Sequence, residues 1–182
     1  MQDANFTDEG RVYFYYGSAS GLPFGYNGFY SGNQENAHFG YSLSTAGDVN
    51  GDRYSDFIVS APLYDNIQIN EGFVFVYYGS NSGLSNTVSW SAGSSSADAQ
   101  YGISVSTAGD VNSDGYSDII VGAHLFNGGQ TNEGRVYVYK GSPTGLISNA
   151  YWTWETNQTG SQLGLSVACA GDVNGDGFSD VA

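Results

Sequence analysis

The sequence predicts an all-β fold, a β-propeller of four-stranded antiparallel blades, and three observations lead there. Short runs rich in Val, Ile, Tyr and Phe alternate with period two and are bounded by Gly, Asn, Asp and Ser, the pattern of half-buried strands between tight turns. No stretch longer than ten residues carries a helical period. The whole pattern then repeats every 62 residues without an insertion: GDVNGDRYSD starts at Gly47, GDVNSDGYSD at Gly109 and GDVNGDGFSD at Gly171. A step of that length holds four strands, which matches a propeller blade and is too long for the coil of a solenoid.

Each unit reads as four strands in order. The first is small and alternating: Tyr41–Ala46, Ile103–Ala108 and Leu165–Ala170. Small side chains suit the crowded centre of a ring of sheets. The second is a short apolar run at Phe57–Val59 and Ile119–Val121. The third is aromatic and β-branched, at Val12–Tyr16, Phe73–Tyr78 and Val136–Tyr139, and its bulk suits the wider flanks. The fourth is weaker, near Gly28–Ser31, Val88–Ser91 and Tyr151–Trp154. Other dipeptides keep the same step: Glu-Gly at Glu9, Glu71 and Glu133, Gly-Ser at Gly17, Gly79 and Gly141, and Phe39-Gly40, Tyr101-Gly102 and Leu163-Gly164. Residues 1–182 form one propeller segment on this reading. Residues 39–100 and 101–162 are whole repeats, 1–38 is the outer part of a split blade and 163–182 the inner part.

Composition narrows the function. Eighteen Asp and Glu stand against four Lys and Arg, a formal net charge of -14. That field opposes the nucleic-acid backbone and an anionic membrane surface and suits a protein that gathers cations. No apolar run is long enough to span a membrane, so no direct insertion is expected. One cysteine, Cys169, leaves no intrachain disulfide, and as it replaces Thr45 and Thr107 on an inner strand it reads as a small buried residue.

The chemistry lies in the loop D-x-N-x-D-x-x-S-D between the first two strands of each unit. The oxygen-bearing positions are Asp48, Asn50, Asp52 and Asp56, then Asp110, Asn112, Asp114 and Asp118, then Asp172, Asn174, Asp176 and Asp180. Position seven, Tyr54, Tyr116 or Phe178, would add its backbone carbonyl. Three carboxylates within nine residues repel one another unless a cation sits among them. An all-oxygen set in a flexible loop selects Ca2+ over Mg2+, and without His or Cys it does not suit Zn2+. The loop is not an EF-hand, because position twelve from Asp48 is Val59, inside a strand. Asp, Asn and Gly also make good turns on their own, but the nine carboxylates in three clusters favour the metal. Gly115 and Gly177 occupy position six where a left-handed backbone is useful; Arg53 replaces that Gly in the first loop, which makes it the weakest expected site.

With these residues in hand, the chain resembles the FG-GAP repeats of integrin α subunits. Phe39-Gly40, the loop and Ile58-Val59-Ser60-Ala61-Pro62 carry the resemblance; the second unit departs with Tyr101-Gly102 and Gly122-Ala123-His124, and the third with Leu163-Gly164. The resemblance implies a propeller with calcium in hairpin loops on one face, an extracellular or cell-surface setting, and a non-enzymatic module for protein binding, adhesion or scaffolding. The alternative is a carbohydrate-binding propeller or an accessory domain of a carbohydrate-active enzyme. Trp90, Trp152 and Trp154 could stack on sugars, although packing is the plainer role. His38 and His124 do not recur and read as ordinary polar residues. Two halves of a blade at opposite ends of the chain lead to a further expectation: a homodimer that closes a six-bladed ring, or the remainder of a longer propeller.

Overall fold

The computed structural model describes residues 5–182, and among these it has twelve strands and no helix. Two complete four-stranded antiparallel sheets occupy the middle. One is β3 (Leu43–Gly47), β4 (Asp56–Ala61), β5 (Phe73–Tyr77) and β6 (Trp90–Gly93); the other is β7 (Ser104–Gly109), β8 (Asp118–Ala123), β9 (Arg135–Tyr139) and β10 (Trp152–Glu155). Each is a meander in chain order. Two-stranded sheets flank them: β1 (Arg11–Phe14) with β2 (Gly28–Ser31), and β11 (Cys169–Gly171) with β12 (Asp180–Val181). The registers repeat with the sequence, Ile58 opposite Val76 and Ile120 opposite Val138.

The central strands β4 and β8 are nearly continuous apolar runs because both of their faces are covered. Period two sends successive residues to different cores. Ile58, Val74 and Val76 meet Ile119, Val121, Tyr137 and Tyr139 of the following sheet. Val59 and Tyr77, one residue away, meet Val12 and Tyr30 of the preceding pair. Ile120 and Val138 turn the other way and pack with Val167 and Val181. The sheets are therefore stacked face to face, each sharing one core with the sheet before it and one with the sheet after. The small first strands β3, β7 and β11 lie next to one another, as their narrow side chains permit.

The recurring Glu-Gly and Phe-Gly pairs are the stitch between sheets. The amide of Phe39 donates to the carbonyl of Glu9 at 2.8 Å, Tyr101 to Glu71 at 3.0 Å and Leu163 to Glu133 at 3.1 Å. The following glycine allows that approach. A Cβ on Gly72 (φ +79°) would sit 2.3 Å from the carbonyl oxygen of Tyr101. The glutamates are fully buried, and the Glu133 carboxylate accepts the amides of Gly128, Gly129 and Gln130 at 2.6–3.1 Å. Those amides, Gly129 first, hold its acid below the usual carboxylate range.

Several strand ends differ from the expectation. The third strand of the first unit stops at Phe14, leaving Tyr15 and Tyr16 outside it, and the last inner strand shrinks to Cys169–Gly171. Both lie at the outer sheets, where a neighbour is lacking on one side. Cys169 is part-exposed, not buried; its sulfur accepts the Gly171 amide at 3.3 Å, as the Thr45 and Thr107 hydroxyls accept those of Gly47 and Gly109.

Gly72→Ala should destabilise the chain by about 3 kcal/mol or more, because both the left-handed backbone and the Tyr101 contact resist a methyl group. Gly21→Ala, where φ is also positive (+95°) but nothing lies nearby, should cost only about 1 kcal/mol in a urea titration.

Candidate metal centre

The loop begins at a kink. Between Thr45 and Gly47 the register of β3 against β4 shifts, and the same shift occurs at Thr107/Gly109 and Cys169/Gly171. Positive φ values at Gly47, Gly109 and Gly171 (+77°, +73°, +73°) make this bulge possible and aim the chain out of the sheet. The next residue in each case is the first aspartate.

From there the side chains fold inward by gathering backbone amides. In the first loop Asp48 Oδ1 accepts the Gly51 and Asp52 amides at 2.7 and 3.1 Å, and Oδ2 accepts that of Arg53 at 2.7 Å. Asp52 accepts the Tyr54 amide at 2.9 Å, and the Asn50 amide group donates to Asp52 at 3.1 Å. The second loop repeats this with Asp110 on Asp114 and Gly115, Asp114 on Tyr116, and Asn112 donating to Asp114. The third has Asp172 on Gly175, Asp176 and Gly177, Asp176 on Phe178, and Asn174 donating to Asp176. These amides, led by Gly177, hold Asp172 below the usual range. Position seven is engaged through its N–H in all three loops. Arg53 takes φ +73°, the strained geometry that glycine adopts in the other two loops (+90° at Gly115 and at Gly177).

The ninth-position aspartate does something the motif does not announce. Asp56 is buried; its Oδ2 accepts the Val49 amide at 2.9 Å and its Oδ1 the Gly79 amide at 2.8 Å. Asp118 does the same with Val111 and Gly141, both at 2.9 Å. It thus ties the loop to the end of the third strand. Burial pushes the Asp56 carboxyl up to about 6 against the pull of the Gly79 and Val49 amides, and the charges of Asp52 and Asp48 add to the rise. Asp118 is pushed up to about 6 in the same way, with Asp114 and Asp110 adding. A cation among these groups would act in the opposite sense.

Successive loops also clamp one another. The Ser117 amide donates to the Asp48 carbonyl at 2.9 Å while the Asp48 amide donates to the Ser117 hydroxyl at 3.2 Å. Ser179 and Asp110 repeat the pair at 2.9 and 3.1 Å. Sequence reasoning passed over these serines and Gly79 and Gly141, although the constant Ser-Asp of the motif and the Gly-Ser step were the signals.

Each predicted ligand set is brought together within its loop by these amide contacts. Among the described residues no group of three or more His, Cys, Asp and Glu is arranged to hold a metal ion. The amides occupy the carboxylates instead. One oxygen is left over: Asn112 Oδ1 is buried and has no hydrogen-bond partner, whereas Asn50 and Asn174 spend theirs on the amides of Asp52 and Asp176. A buried orphan carbonyl oxygen between Asp110 and Asp114 is the donor a hard cation takes, so the residues of the second loop fit Ca2+.

A family model described as FG-GAP repeat matches residues 39–77 and 101–139. Integrin alpha-7 of Rattus norvegicus is 34% identical over 152 residues, which is 83% of this chain and 13% of that protein. Integrin alpha-5 of Xenopus laevis is 31% identical over 161 residues, 84% of this chain and 15% of that protein. Integrin alpha-PS2 of Drosophila melanogaster is 30% identical over 165 residues, 84% and 12%. The chain belongs to the FG-GAP, integrin alpha-like family. It spans only 12–15% of the length of these relatives. The two matched FG-GAP segments run from Phe39 to Tyr77 and from Tyr101 to Tyr139, so they contain the first two loops and their strands whole. The third loop lies outside the match.

Two substitutions in one FG-GAP loop separate scaffold from ligand. Asp118→Ala should cost about 2–4 kcal/mol even in chelator, because it strands the Val111 and Gly141 amides. Asp114→Ala should cost under about 1 kcal/mol in chelator. Chemical denaturation of both variants in EDTA measures the difference.

Proposed function

We propose that this chain is a calcium-binding segment of an integrin-like β-propeller that serves as a protein-binding, adhesion or scaffolding module at or outside the cell surface. The supporting observation is the second loop: two carboxylates, a buried carbonyl oxygen without a partner and a buried aspartate, in a loop that lies inside the FG-GAP match. Asp110, Asn112, Asp114 and Asp118 would hold the ion, with Tyr116 offering its carbonyl. Asp48, Asn50, Asp52, Tyr54 and Asp56 form the equivalent first set, and Asp172, Asn174, Asp176, Phe178 and Asp180 the third. The ion would replace amides as the positive partner of the carboxylates and fix the loops. Exposed loops of this kind suit the weak calcium affinities of extracellular modules.

The stacked sheets are read as blades: 39–100 and 101–162 whole, 1–38 and 163–182 as outer and inner halves. A closed ring needs more blades, from further repeats or from a second copy. The loops stand side by side, clamped by Ser117 and Ser179, and present one acidic edge to a partner. Loop carboxylates committed to backbone amides and to a cation leave no acid or base for a catalytic step, so the reading has no enzymatic activity. The glycan reading leans on the exposed rings of Trp152 and Trp154, which lie parallel with centroids 6.4 Å apart. Trp90, one repeat before Trp152, is instead buried edge-on against Tyr139 at 5.0 Å, which makes the position one for packing.

Calorimetry should count up to three Ca2+ per chain, moving the formal charge from -14 to -8 by the addition of six. Asp110→Ala and Asp172→Ala should each remove one ion, and Arg53→Gly should tighten the first site. Millimolar EDTA should lower the Tm and calcium should restore it better than magnesium. A Tm indifferent to both overturns the metal reading.

The adhesion reading is tested by coating surfaces with the chain and scoring attachment of cells in calcium and in chelator. Calcium-dependent attachment with an empty glycan array is the expected result; a specific array signal lost in Trp154→Ala would favour the carbohydrate alternative.

A further inference from the structure

The three loops differ in the residue that follows the asparagine. It is glycine in the first and third, Asn50-Gly51 and Asn174-Gly175, and serine in the second, Asn112-Ser113. Glycine has no side chain to shield its amide nitrogen, so in Asn-Gly that nitrogen meets the carbonyl carbon of the asparagine side chain with least hindrance. Both glycines take a left-handed backbone, φ +77° at Gly51 and +75° at Gly175. A Cβ on Gly51 would also lie 2.6 Å from the Tyr116 ring of the next loop. The fold therefore keeps glycine at position 51 and, with it, the reactive pair.

Hydrogen bonds set these two pairs for ring closure. The Gly51 amide donates to Asp48 Oδ1 at 2.7 Å, which places a carboxylate on the proton that the attacking nitrogen must lose. The Asp52 amide donates to Asn50 Oδ1 at 3.0 Å, the oxygen on which negative charge develops when the side-chain carbonyl is attacked. Asn50 Nδ2, the leaving nitrogen, donates to Asp52 Oδ2 at 3.1 Å. Asn174-Gly175 has the same three contacts, with Asp172 at 2.7 Å and with Asp176 at 2.9 and 3.0 Å. Only the last survives in the second loop, from Asn112 to Asp114 at 2.8 Å. There Asp110 takes the amides of Asp114 and Gly115 but not that of Ser113, and Asn112 Oδ1 has no partner. Two Asn-Gly pairs outside the loops also lack the full set among the described residues. At Asn127-Gly128 the glycine amide meets Glu133, but no carboxylate touches the Asn127 side-chain nitrogen; at Asn27-Gly28 neither contact is made. Gly51 and Gly175 are exposed, so water reaches both loop pairs.

The geometry points to Asn50-Gly51 and Asn174-Gly175 as sites of self-modification by deamidation. The Gly51 nitrogen attacks Asn50 Cγ and closes a cyclic imide. Its proton goes to Asp48 Oδ1 and is returned through water to the departing side-chain nitrogen, which leaves as ammonia. Water then opens the ring. Opening at Cγ gives aspartate at position 50, a further carboxylate beside Asp48 and Asp52. Opening at the main-chain carbonyl gives isoaspartate, which adds a methylene to the backbone and shifts Gly51 relative to Asp48. The third loop reacts in the same way through Gly175 and Asp172. No step needs a metal ion, so the inference fails separately from the calcium reading.

The 182-residue chain, held in EDTA at neutral pH and then mapped by peptide mass spectrometry with isoaspartyl methyltransferase labelling, should gain aspartate and isoaspartate at positions 50 and 174 ahead of 27, 112 and 127. Asp48→Asn keeps an acceptor for the Gly51 amide but removes the base. It should slow the change at 50 by about tenfold or more and leave 174 at its former rate, with circular dichroism unchanged. Asp172→Asn should do the reverse, slowing 174 and sparing 50. Absence of modification at both positions overturns the proposal. So does an equal rate at Asn27, which would make the dipeptide alone responsible, or a faster reaction at 50 in Asp48→Asn, the mark of a loop that reacts only by opening.

Discussion

The structure depends on the close approach of one sheet's Glu-Gly to the next sheet's Phe-Gly. At Glu71-Gly72 and Tyr101 the two backbones come near enough for a direct hydrogen bond, and a single Cβ at Gly72 would prevent it. That approach sets the spacing at which Ile58, Val74 and Val76 can interdigitate with Ile119 and Val121. The cores are thin and double-sided, so each central strand is a nearly continuous apolar run and each full sheet leans on its neighbours. The buried glutamate belongs to the same device, because its carboxylate collects the amides of the loop that leads into the stitch.

The candidate metal loops inherit their positions from this stacking. A glycine bulge turns the chain out of each inner strand, and a buried aspartate returns it to the end of the third strand. The serine of the next loop then clamps the first aspartate from outside. The loops are therefore held by the scaffold at both ends while their middle carboxylates stay accessible. This division explains why two aspartates of one motif, Asp114 and Asp118, differ so much in burial: the first faces solvent, the second is walled in by its own hairpin.

The gradient along the chain has the same origin. The ends of the first two loops are covered, at Val49, Asp56 and Asp118, whereas the third is exposed from Asp172 to Phe178. Trp90 is buried and Trp152 is not, although they stand at equivalent positions of successive repeats. Equivalent repeat positions differ in burial wherever the partner sheet is absent from the described residues, because burial belongs to the pair of sheets and not to the strand.

The sequence by itself determined the all-β class, the 62-residue unit, the four strands in each full unit and the oxygen-rich loop. Each of these is written in local terms: period-two alternation, turn residues, and Asp and Asn at alternate positions. It also marked Arg53 as the odd residue at a left-handed position, since only the absence of a glycine had to be noticed. Other features came only with the tertiary structure. Nothing local tells that Asp56 and Asp118 bond amides 23 residues away, that Ser117 clamps a loop 69 residues before it, or that Cys169 lies part-exposed. Those outcomes depend on which sheet lies beside which, and that choice is made by the packing of whole faces, a sum over many distant side chains that no short window of sequence contains.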